Sequence, residues 1–151
     1  MMSPITSLEQ ALTQRLAADA ELKQLIPIDL MAMEEKEQRL YTYIPNEAIS
    51  PYINITGPTI TKVYVLPEDV VDLRVTLHIW HNQNETGQYG NRVISNCLEA
   101  VKNALGYRLF PNGYKVTRVT INDNRIFDDV NADVKHAVFA LTYRLEKIKS
   151  N

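Results

Sequence analysis

The chain predicts an α+β domain, a largely antiparallel sheet of about four to five strands with two main helices packed on one face. Three observations carry that prediction. An apolar series at helical spacing opens the chain, and an unbroken two-residue alternation fills Val70 to His81. A second helical series, followed by two more alternating runs, occupies the C-terminal half.

At the N-terminus, Ser7 stands three before Gln10 and Thr6 three before Glu9. Either pair suits a capping box ahead of Leu8, Leu12 and Leu16. The pattern continues through Leu22, Leu25 and Ile26 to Pro27, whose ring disfavours helix for the residue before it. "MAMEEKEQRL", Met31 to Leu40, is charged and lacks an apolar stripe, which fits a short exposed helix or a loop; residues 31–38 are expected to be mobile. "LYTYIP" and "PYINITGPTITKVYVLP" are rich in β-branched residues and tyrosine and punctuated by proline. They predict short strands, the second near an edge or bend.

In the next segment Val71, Leu73, Val75, Leu77 and Ile79 alternate with Asp72, Arg74, Thr76, His78 and Trp80, the pattern of a half-buried strand. Beyond a polar loop, Tyr89, Val93, Cys97, Val101 and Leu105 recur every fourth residue with Ile94, Leu98 and Ala104 beside them. That is an amphipathic helix, with Gly106 at its C′ position. "YKVTRVTI" and "HAVFALTYRLEKI" predict two further strands joined through the polar "NDNRIFDDVNADVK".

At 151 residues and 45% hydrophobic content the chain is expected to form one domain spanning 1–151, with a core that needs no covalent staples. Net charge is −2, too little positive field to favour nucleic acid or an anionic membrane. The charge is uneven along the chain: Met1 to Leu40 holds four basic and seven acidic residues, His81 to Thr120 five basic and two acidic. One cysteine excludes an internal disulfide and suits a reducing compartment. The N-terminus lacks the pattern of a signal peptide, and no stretch approaches the ~20 apolar residues of a membrane span. The N-x-T triplets at Asn54 and Asn84 are read as chance matches in a cytoplasmic protein.

Four chemical constellations compete with purely structural explanations. His78, His81 and Glu85 resemble a metal or acid/base set, but strand parity sends His78 out with Trp80 while His81 starts the turn; the remaining histidine, His136, opens another strand. "NDNRIFDD" resembles a calcium loop, yet counting from Asn122 the positions that require Gly and Glu hold Phe127 and Asp133, so a turn is expected. Cys97 lies on an apolar stripe and is expected to pack in the core rather than act as a nucleophile. Arg92, Lys102, Lys115 and Arg118 gather near tyrosines but form a mixed polar face rather than a phosphate-binding excess. No catalytic residue, metal site or cofactor is expected, and the alternatives are a small metal-dependent hydrolase or a nucleic-acid-binding accessory protein.

A resemblance goes further than composition. Pro45, Pro51-Tyr52-Ile53, the strand ending Leu77-His78-Ile79-Trp80, the polar loop into the following helix, and the runs "YKVTRVTI" and "HAVFALTYRLE" resemble the tail-completion or tail-terminator family of tailed bacteriophages and prophages. The resemblance implies a structural protein that forms a ring, typically a hexamer, caps the tail tube, stops its polymerisation and joins tail to head. Its implied partners are copies of itself, the tail-tube protein, a head-completion or neck protein and DNA passing without sequence reading; a membrane is not among them. Its implied places are the bacterial host cytoplasm during assembly and the tail-head junction of the virion. For the subunit or partner contacts the expected residues are Asn82, Asn84, Glu85, Gln88 and Tyr89, with Glu34, Glu35 and Lys36. Arg92, Lys102, Lys115 and Arg118 are the candidates for lining a bore.

Overall fold

The computed structural model describes residues 2–127 and 133–149. Two helices, α1 (Pro4–Ala18) and α2 (Ala20–Leu25), lead into a 3-10 turn at Glu35–Glu37 and a short strand β1 (Leu40–Tyr41). Next come β2 (Tyr52–Val63), β3 (Val70–Asn82), the single turn of helix α3 (Gln83–Thr86) and α4 (Arg92–Ala104). The long strands β4 (Tyr114–Phe127) and β5 (Val134–Lys147) complete the fold. They form one five-stranded sheet ordered β1-β2-β3-β5-β4, antiparallel except for the two-residue β1–β2 pairing. This is the expected α+β architecture, with α1 over β2 and α4 over β3 and β5.

The alternation in β3 does what its sequence predicts. Leu73, Val75, Leu77 and Ile79 are fully buried beneath the helices, joined by Ile53 and Ile55 of β2 and Phe139, Leu141, Tyr143 and Leu145 of β5. Leu8, Leu12 and Leu16 of α1 and Ile94, Cys97, Leu98 and Val101 of α4 close the core from above. Apolar burial of this kind stabilises by about 25 cal/mol per Å² removed from water.

Several boundaries differ from the sequence expectation. The first helix starts at Pro4, not at Thr6 or Ser7: the Ser3 hydroxyl accepts from the Thr6 amide at 3.2 Å, and Pro4 takes the first turn, where its missing N–H costs nothing. Ser7 is therefore inside the helix, buried, and donates to the Asn112 carbonyl at 2.8 Å, tying α1 to the entrance of β4. The helical series also breaks at Asp19, whose carboxylate caps α2 by accepting from the Leu22 amide at 2.8 Å. Tyr89 precedes α4 and is exposed instead of opening its apolar stripe.

Residues Asn122 to Phe127, expected in a turn, continue β4 and pair with β5 as far as Phe127 with His136; Asp128 and Asp129 lie outside the described residues. β2 is one strand of 12 residues, irregular at Gly57. Its φ of +89° and the Arg74 carbonyl oxygen 2.8 Å from where a Cβ would stand leave room only for glycine, and the register shifts between Thr56 and Thr59.

Candidate assembly surfaces

The loop after β3 is built as a cap and not as a slack connection. The Asn82 side-chain oxygen accepts from the amides of Asn84 and Glu85, starting α3, and Gly87 ends it with φ +71°. Two ties then fix it to the body and a third closes it on itself. Glu85 accepts from the Ser50 amide at 3.1 Å, the His81 Nε2 meets the Thr86 hydroxyl at 2.7 Å, and the Gln83 side-chain oxygen accepts from the Gly90 amide at 2.7 Å. Ser50 also accepts from the Asn82 amide at 2.7 Å and donates to the Trp80 carbonyl. Among the expected contact residues, Glu85 is exposed with its carboxylate on the Ser50 amide, Asn84 accepts from the exposed Tyr89 hydroxyl at 2.9 Å, and Gln88 is exposed.

The three groups weighed as a metal set are separated. His78 and Trp80 share the helix-free face of the sheet, and His81 lies on the core face, fully buried within β3 rather than starting the turn. Burial holds the His81 imidazole below its usual pKa against the pull of Glu85, and burial likewise lowers His78. Glu85 is engaged at Ser50, so a shared site for His78, His81 and Glu85 is not formed. Sequence reasoning missed His136: paired with Trp80 across β3 and β5, it stacks on that indole at 3.8 Å with rings 3° from parallel. Its Nε2 also lies 2.9 Å from His78 Nδ1, and Phe127 stacks at its other side. The signal was available only through the β3–β5 register, which one sequence does not supply.

Further along the same face, Arg144 holds Asp72 at 2.9 Å, and Tyr64 donates to that carboxylate at 2.7 Å. Burial alone would raise the Asp72 carboxyl, but these hydrogen bonds outweigh it and keep it below the ordinary carboxylate range. The aromatic stack and this cluster both lie on the helix-free face.

The four candidate bore residues do not form one patch. Arg92 is exposed at the first turn of α4, while Lys102 sits ten residues on, roughly 15 Å along the axis, in an ion pair with Glu99 at 3.7 Å. Lys115 and Arg118 are exposed on β4, an edge strand. Lys102 and Arg118 both border a cleft of about 400 Å³ between the end of α4 and β4. Glu34, Glu35 and Lys36 lie at the other edge of the sheet, before β1, with Lys36 paired to Glu34 at 3.4 Å.

The fold and these surfaces stand beside a direct family comparison: the family described as Tail completion protein gp17 matches residues 10–146. The chain belongs to that family. The tail completion family gives it a structural role in the phage tail. A search of curated proteins finds no match. Among solved structures, a chain of the "Virion of native gene transfer agent (GTA) particle" shares the fold with TM-score 0.74 at 16% identity, over 96% of this chain and 99% of that one. Among the described residues no helix is long and apolar enough to cross a membrane.

Proposed function

We propose that this tail completion protein acts as a ring that caps the finished tail tube, ends its polymerisation and presents the surface that meets the head. The observation that carries the ring is the unlikeness of the two sheet edges. Leu30, Met31, Met33 and Tyr43 stand exposed with carboxylates at the β1 edge, and Val119, Ile121 and Tyr107 with basic groups at the β4 edge. A subunit with two different, mutually suitable sides makes head-to-tail contacts, and such contacts close into rings when the rotation permits. The hexamer remains the expected size.

Its partners on this reading are further copies of itself, the tail-tube protein and a head-completion protein. It assembles in the host cytoplasm and stays at the tail-head junction of the virion. The role is mechanical rather than catalytic: a rigid body with a covered core, met from above and below by different proteins. DNA passing through the bore would meet basic side chains such as Arg92 by charge alone, independent of sequence.

The test is light scattering and negative-stain microscopy of the purified chain, alone and with tail-tube protein. Rings, and tubes that stop growing when the chain is added, are the expected outcome. A chain that stays monomeric at high concentration and leaves tube length unchanged would refute the proposal.

A further inference from the structure

The helix layer is narrower than the sheet beneath it. With α4 seated over β3 and β5, the helix-side face of β4 beyond Val116 lies open, and Val119 and Ile121 remain 43% and 55% exposed. They floor the cleft with Leu105 and Leu141, and Lys102 and Arg108 stand at its rim. At the opposite edge Met31 and Met33 are 89% and 101% exposed, immediately ahead of Glu34, Glu35 and Glu37.

We infer that the segment Met31 to Glu37 of one copy docks into the β4-edge cleft of the next, its methionines against Val119 and Ile121 and its glutamates against Lys102 and Arg108. This rests on the ring reading and names its subunit contact. Charge selects a second copy as the occupant. Residues 29–47 carry five acidic groups (Asp29, Glu34, Glu35, Glu37, Glu47) against two basic ones, Lys36 and Arg39. Residues 99–118 carry four basic groups (Lys102, Arg108, Lys115, Arg118) against one acidic, Glu99. The imbalances are equal and opposite, 2 − 5 = −3 and 4 − 1 = +3.

The plug is also held ready. The Asp29 amide donates to the Gln38 carbonyl at 3.1 Å, the Gln38 side chain to the Ala32 carbonyl at 3.3 Å, and the Ile49 amide to the Lys36 carbonyl at 3.1 Å. Groups already hydrogen-bonded before docking lose less freedom on association. Methionine, unbranched and polarisable, fits an irregular cleft better than a β-branched side chain would. Because plug and cleft lie on opposite edges, every copy offers one of each and the contact repeats in one direction.

Engineered cysteines test the contact, since Cys97 is buried and its thiol is pushed up to about 12. Oxidised M33C/V119C protein is expected to give a ladder of crosslinked species up to a closed ring. A mixture of the M33C and V119C single variants should stop at dimers, and either variant alone should give none. K102E/R108E should weaken assembly about tenfold or more at low salt, and adding E34K/E35K should restore it. Rings seen by microscopy without the M33C–V119C ladder and without charge-reversal rescue would overturn this contact while leaving the ring intact. Absence of any assembly, with tube protein present, would overturn the ring reading and this contact with it.

Discussion

Arg15 offers a sharp test of how the helix layer is held. From α1 it reaches the far end of α4, where its Nη1 donates to the carbonyls of Ala104 and Tyr107, both at 3.1 Å, and its Nη2 to that of Arg108 at 2.9 Å. The last carbonyls of a helix have no intrahelical donor and carry the negative end of its dipole, so a guanidinium is well matched to them. A buried hydrogen bond to a charged group contributes about 1.5–3 kcal/mol. Here only the Ala104 contact is partly buried, and water can replace the other two.

R15A should therefore cost about 2 kcal/mol rather than three times the buried value. For 151 residues, at about 2–4 °C per kcal/mol, that is a Tm lower by about 4–8 °C. R15K keeps the charge without the planar fork and should recover about half. Urea unfolding followed by far-UV circular dichroism measures the change, and hydrogen exchange should show its largest gain at Leu105 to Arg108, the wall of the cleft. A loss under about 0.5 kcal/mol, or uniform deprotection across the chain, would refute the capping argument.

Other consequences follow from burial and charge. Leu77 is fully buried at the centre of the sheet, and L77A should cost about 3–5 kcal/mol in urea melts; a loss near 1 kcal/mol would contradict the packing described. Cys97 should stay unreactive toward a thiol reagent until the protein unfolds, so prompt labelling at neutral pH would overturn its placement in the core. His78 and His81 are held below the histidine value of about 6.5 when folded, so below that pH the unfolded chain binds more protons. Their contribution is fully present above about pH 6.5 and declines as pH falls through that value toward their folded pKa. Urea midpoints at pH 7.5 and 5.5 should differ in that direction, with a smaller difference for H81Q; a flat profile would contradict both burial and sign.

The core was legible because burial on one side leaves a periodic trace. β3 has the clearest alternation and sits at the centre of the sheet, with a helix on one face. The same logic failed for β4 beyond Ile121, where most side chains are exposed and polar residues such as Asn122 and Asp123 carry no alternation. That half of the strand exists because β5 supplies hydrogen bonds opposite it, a cause no local pattern displays. The helix starts were visible but ambiguous. Ser3-Pro4 and Asp19 carry cap signals, and so does Asn82 three before Glu85, yet competing Ser and Thr positions obscured the first and a continuous leucine series the second. His81 was misplaced because its polarity outweighed its parity with Ile79; buried there, its Nε2 is satisfied by the Thr86 hydroxyl, while Nδ1 has no partner.

The form of the β4 edge bears on the kind of contact it makes. An edge strand with free backbone groups invites another strand to add to the sheet, which is also the route to aggregation. β4 resists that addition in two ways. Its register is broken between Val116 and Arg118 and again between Ile121 and Asp123, and Lys115, Arg118 and Arg125 place charge along it. A straight strand from a neighbour would meet this interrupted backbone with poor hydrogen-bond geometry. Side chains entering the cleft above β4 need none of that regularity, only apolar surface and opposite charge at the rim. The broken edge thus favours insertion of the methionine segment over continuation of the sheet, and it gives the contact a fixed partner face instead of an open-ended one.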